Sequence, residues 1–143
     1  MIRLDVGSAA VHDSSLFVPH RERDITLAYL CNEIRAADQT VVIFAWTVLE
    51  TNRVANLLGR LGVGAISLHV GLSPSARVAA LNSRVIVTTD AAACLIPLRK
   101  VNYIINFDLT SCSWKTKPDT YTQRIGNVAF AGGLCYAMTF CTQ

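Results

Sequence analysis

The run from Val41 to Ala45 (VVIFA) constrains the fold more than any other feature of the chain. It is too short for a globular helix and has no polar face, so a strand made of it must be covered on both sides. Runs of the same kind return at Arg84 to Thr88 and Val101 to Phe107, with weaker ones at Ala65 to Leu68 and Leu134 to Phe140. Segments of helical period lie between them. Asp24 to Ala36 spaces Leu27, Leu30, Cys31 and Ile34 at i, i+3, i+4 and i+7. Thr47 to Glu50 has capping-box spacing, in which the Thr47 hydroxyl takes the Glu50 amide and the Glu50 carboxylate reaches back. The helix it opens carries Val54, Leu57, Leu58 and Leu61 on one predicted face and stops at Gly62. Ser73-Pro74 starts a short helix to Leu81, and Asp90 to Cys94 reads as a small helical turn. Further on, Thr110 to Lys117 reads as a polar surface loop, and Pro118 or Asp119 opens a last short helix. Strand and helix in alternation imply right-handed crossovers, hence an α/β fold: one doubly wound, mostly parallel sheet with helices on both faces.

Composition supports that frame. At 143 residues the chain has the size of one domain, and 52% apolar against 16% charged residues excludes a disordered, solvating chain. Residues 1–13 are expected to form an N-terminal arm and residues 14–143 the domain, with Leu16 to Val18 a strand or extended arm ended by Pro19. Thirteen Lys+Arg against ten Asp+Glu leave +3, which permits an acidic partner without requiring one. The five cysteines (Cys31, Cys94, Cys112, Cys135, Cys141) form no CxxC pair. They are expected to be reduced thiols in an intracellular protein, with neither disulfides nor a metal site. No signal-peptide pattern is present, and the charge-free stretch from Ile125 to Gln143 contains Gly126, Gly132 and Gly133. A buried strand, not a membrane helix, is expected there.

Ligands of a doubly wound sheet collect beyond the carboxyl ends of its strands. The residues so placed are Trp46, Thr47, His69 to Ser73, Thr89, Asp90 and Asp108. Thr47, Ser73 and Thr89 also read as helix caps, His69 as a satisfied core histidine, and Trp46 as a half-buried packing residue or a stacking one. Neither GxxxxGK[ST] nor GxGxxG occurs, so no phosphate cradle of the P-loop kind is expected.

Several stretches together resemble the second, C-terminal RecA-like domain of DEAD-box RNA helicases. They are Val41 to Thr47, Glu50 to Arg53, Leu57-Leu58, Leu61 to Ile66, Leu68-His69, Leu72-Ser73, Arg77 and Ala80 to Asn82. Val85 to Ala93 is similar to that family's fifth motif, and Tyr121 to Gly126 with Ala131-Gly132 to its sixth. Within the family, Val18-Pro19, Tyr29-Leu30, Asn32-Glu33 and the ending Met138 to Gln143 look most like the nucleolar subgroup that serves small-subunit rRNA maturation. The resemblance implies a domain that closes with a P-loop-bearing first domain over ATP, Mg and a single RNA strand. It implies RNA-phosphate contacts at Thr47, Gly71, Arg77, Thr89 and Asp90, and a nucleotide-facing position for Arg124 and Gly126. RNA, the first RecA-like domain and assembly proteins are the implied partners, in the nucleus or nucleolus.

The departures cluster where the family does its chemistry. The family has His where this chain has Gln123, and arginines where it has Asn127 and Phe130, so Arg124 alone remains of the sixth motif. After Ala93 the expected Arg-Gly-x-Asp is replaced by Cys94 to Pro97. Val70 replaces a glycine, Pro74 a glutamine, and Trp46 stands where the subgroup usually carries arginine. Phosphoryl transfer is catalysed by placement and by cations on the equatorial oxygens, and losing an arginine finger costs on the order of a thousandfold or more. The expectation is therefore a degenerate domain with no catalytic residue of its own, using ATP and Mg only if completed by a P-loop domain. Two alternatives stand beside it: the C-terminal half of an active helicase, and a protein-interaction scaffold that ignores RNA.

Overall fold

β-Branched runs with no polar face become strands hidden on both sides. In the computed structural model, which describes residues 2–6, 9–92, 101–107 and 133–141, β3 (Val41–Phe44) and β5 (Val85–Thr88) are buried at every position. With β1 (Ile2–Val6), β2 (Ala9–Phe17), β4 (Ala65–Leu68), β6 (Tyr103–Asn106) and β7 (Gly133–Cys141) they form one seven-stranded sheet ordered β1-β2-β7-β6-β3-β5-β4. Strands β2 to β7 are mutually parallel, and β1 joins β2 antiparallel at the margin. The fold is the α/β, mostly parallel arrangement expected.

Helices α1 (Arg23–Ala36) and α2 (Val48–Arg60) cover one face, following a single 3-10 turn at His20–Glu22. Their Leu27, Cys31, Ile34, Val54 and Leu58 pack with Val41, Ile43, Val85, Val87, Ile105 and Phe107 from the sheet. The alternate residues Val42, Phe44, Ile86 and Ile104 are buried on the opposite face. Helix α3 (Pro74–Leu81) connects β4 back to β5 in the reverse direction, so a right-handed crossover puts it on that second face.

Both long helices end as their sequence dictates. Gly62 adopts φ 83, and the amides of Gly62 and Val63 donate to the carbonyls of Gly59 (3.2 Å) and Leu58 (2.8 Å), a Schellman closure. Asp38 closes α1 the same way at φ 58, with Asp38 N–H to Arg35 (2.9 Å) and Gln39 N–H to Ile34 (3.1 Å).

Some expectations are corrected. Within the expected N-terminal arm of residues 1–13, the described residues are strand: β1 and the first part of β2 fall within it, and the expected boundary at 13 cuts through β2. The buried stripe of α2 is Thr51, Val54, Ala55 and Leu58; Leu57 is half-buried, and Leu61, at the C-cap, is 47% exposed. The expected loop from Thr110 to Lys117 and the helix opened by Pro118 or Asp119 lie outside the described residues. Among the described residues no helix is long and apolar enough to cross a membrane, and Cys31, Cys135 and Cys141 are free thiols.

Candidate functional site at the carboxyl ends of the strands

Strict register brings the strand ends level. Phe44 pairs with Thr88 and with Asn106, Leu68 with Thr88, and Asn106 with Thr139. Cross-strand bonds continue just past the ends: the amides of Ala45 and Phe107 donate to the carbonyls of Thr88 (2.9 Å) and Phe44 (3.3 Å). The Thr88 hydroxyl donates to the Leu68 carbonyl at 2.9 Å. Loops that leave this level line therefore share one side of the molecule. With neighbouring strands about 4.8 Å apart, the exits of β4, β5 and β3 lie within roughly 10 Å.

Gly71, Thr89, Asp90 and Thr47 are on those exits. Thr47 is extended (φ −132, ψ 159), and its Oγ1 accepts the Glu50 amide at 3.1 Å, an N-cap as the sequence suggests. The reciprocal half of the capping box is not made, because the Glu50 carboxylate turns to Arg53 at 2.8 and 3.0 Å. Thr89 is buried, and its Oγ1 accepts the Ala92 amide at 3.3 Å, which makes it a turn-closing residue; Asp90 beside it is exposed. His69 is not a core residue. It is half-buried after β4, and its Nδ1 accepts the Gly71 amide at 3.2 Å. A Cβ on Gly71 would sit 3.1 Å from His69 Nδ1, so glycine lets the ring lie against the backbone. Arg77, on α3, reaches back to the same loop: its Nη2 donates to the Val70 carbonyl at 3.0 Å. The guanidinium thereby ties helix to loop while standing next to Gly71.

Two cations at this end had no sequence signal as site residues. Arg53 bonds Asp24 on α1 at 3.0 Å as well as Glu50, bridging the first turns of the two helices. The hydrogen bond from Arg53, ahead of its charge, holds the Glu50 carboxyl below the ordinary carboxylate range, with partial burial opposing. The same partners push the guanidinium of Arg53 up. The Glu50–Arg53 spacing is legible as an i, i+3 pair, but Asp24 is 29 positions away from Arg53. Arg23 lies over the Phe107 ring at 4.3 Å and donates to the Phe107 carbonyl, fastening α1 to the exit of β6. Trp46, expected to be a half-buried packing residue or a stacking one, is 52% exposed.

Arg124, Gly126 and Asp108 lie outside the described residues. Among the described residues no three His, Cys, Asp or Glu side chains come together in a way that could hold a metal ion. An apolar cleft of about 360 Å³ between α1 and β6–β7, lined by Leu30, Ile34, Tyr103 and Met138, is separate from the strand exits.

Residues 25–132 match the helicase conserved C-terminal domain. ATP-dependent rRNA helicase rrp-3 of Neurospora crassa is 46% identical over 134 residues, which cover 90% of this chain and 25% of that protein. ATP-dependent rRNA helicase rrp3 of Neosartorya fischeri is 44% identical over 136 residues, covering 91% and 27%. The chain thus spans about a quarter of the length of these relatives. Among solved structures, Saccharomyces cerevisiae Dbp5 bound to RNA and ADP BeF3 superposes with a TM-score of 0.75 at 23% identity, over 98% of this chain and 37% of that one. A DEAD box protein from Methanococcus jannaschii does so with 0.72 at 26% identity, over 93% and 36%. The chain belongs to the helicase conserved C-terminal domain family and is homologous to the C-terminal RecA-like domain of DEAD-box proteins.

Proposed function

We propose that this domain holds an RNA strand by its phosphates and does not turn over ATP by itself. The observation that carries the reading is the level exit of β4, β5 and β3, which gathers Gly71, Thr89, Asp90 and Thr47 on one side with Arg77 anchored beside them. The exposed Thr47 hydroxyl and the Arg77 guanidinium suit phosphate oxygens and carry no means of reading sequence. The loss of the sixth-motif cations at Gln123, Asn127 and Phe130 supports the absence of hydrolysis. Relatives named as ATP-dependent rRNA helicases support a role on ribosomal RNA; a nuclear or nucleolar setting is proposed from the subgroup resemblance alone. ATP and Mg would enter only with a P-loop domain, toward which Arg124 and Gly126 would face; assembly proteins are the further partners.

A second reading is favoured by the length of those relatives: the chain as the C-terminal half of an active helicase. One experiment separates the two. Single-stranded RNA is titrated onto the full chain across a salt series, and the chain is then mixed with a P-loop-bearing first domain. Binding is expected to weaken as salt rises, with a log–log slope of about −0.7 per phosphate held. RNA-stimulated ATP turnover in the mixture would establish the active half instead, and no binding at low salt would leave only the protein scaffold.

A further inference from the structure

We propose that Trp46 is a nucleobase-stacking residue, so that this domain grips RNA partly through its bases; the inference rests on the RNA reading above. Trp46 is the first residue past Ala45, whose amide is bonded to Thr88, and it directly precedes the N-cap Thr47. It therefore stands on the exit of β3, in the row that runs through Thr89 to Gly71. More than half of it is open to solvent (52%), and Val48 (37%) and Leu49 (82%) beside it are exposed too. Large apolar groups gathered on a surface mark a place of contact.

A base suits this place better than a protein because of what surrounds it. The patch is continuous in sequence with Thr47 and adjoins Thr89 through the β3–β5 pairing. Among the described residues, the cations at this end are already engaged. Arg53 is held by Asp24 and Glu50, and Arg77 donates from Nη2 to the Val70 carbonyl. An aromatic face adds affinity beside phosphate contacts, and every base can cover it irrespective of sequence. Arg23 is likewise committed to Phe107, both to its ring and to its carbonyl.

The test uses the full chain with oligouridylate, an abasic ribose-phosphate oligomer of equal length, and the variants Trp46→Ala and Trp46→Phe. Trp46→Ala is expected to bind oligouridylate about 5- to 100-fold more weakly, with its salt dependence unchanged. Trp46→Phe is expected to recover most of that loss, and the abasic oligomer to bind wild type and Trp46→Ala alike. Tryptophan fluorescence is expected to be quenched on RNA addition in the wild type and much less so in Trp46→Phe. Equal oligouridylate binding by wild type and Trp46→Ala would overturn the stacking role alone and assign the patch to a protein. Failure of both to bind RNA at low salt would overturn the phosphate reading, and the stacking with it.

Discussion

Cys31 shows how completely one position is taken by the core. Its side chain lies on the inner stripe of α1 with no solvent exposure, and burial pushes the thiol from 9.0 up to about 12. The folded chain therefore keeps this proton to a higher pH than the unfolded chain does. The stability so conferred is fully present below pH 9 and is lost as pH rises from 9 toward 12. Thiol alkylation near neutral pH is expected to leave Cys31 unmodified in the native protein and to modify it in denaturant. In Cys31→Ala, the fall in melting temperature above pH 9 is expected to be shallower than in the wild type. An equal fall in both proteins would show that the thiol does not contribute to the alkaline loss. Cys31 was legible as a helix-face residue from its spacing alone. The bond from Gly71 to His69 was not, because a histidine after an apolar strand reads as a satisfied core residue.

At the scale of elements, α2 separates what periodicity conveys from what packing decides. Thr47, Gly62 and the helix between them follow from capping and C′ chemistry, and the structure places them where those rules do. The face is a different matter. Val54, Leu57, Leu58 and Leu61 are the apolar residues, but the helix is seated on Thr51, Val54, Ala55 and Leu58. Small residues at 51 and 55 allow a close approach to the sheet, and the Arg53–Asp24 bridge turns the 53–57–61 row toward α1. Leu58→Ala, at a site with no exposure, is expected to cost about 2–5 kcal/mol, and Leu57→Ala distinctly less. Denaturant midpoints of the two variants check this, and equal losses would contradict the seating described. The polar strands were the hardest to read. β1 and the start of β2 contain Arg3, Asp5, His12 and Asp13, and a marginal strand with charges cannot be told from an extended arm by pattern alone.

Across the whole molecule, the last described strand joins what the first ones began. β7 comes at the end of the chain yet lies between β2 and β6, pairing with β2 from Ala9–Gly133 to Phe17–Cys141. The β1–β2 ribbon thus reaches the rest of the sheet only through β7. Phe140, 1% exposed, packs its ring 5.7 Å from that of Phe107, which in turn carries Arg23 at the exit of β6. The alternation of strand and helix made the sheet foreseeable, but strand order depends on such long-range pairings, which local pattern does not encode. Phe140→Ala is expected to cost about 3–5 kcal/mol. A chain ending before Gly133 would leave β2 and β6 each with an unpaired side and the Phe107 face uncovered. It is expected to show no cooperative thermal transition by circular dichroism. A cooperative melt in that shortened chain would mean that the four strands β6, β3, β5 and β4 form a unit that needs neither β7 nor the β1–β2 ribbon. The exits of β3, β4 and β5, proposed to face RNA, would then be independent of the chain's two ends, and the proposed phosphate binding is expected to survive the cut.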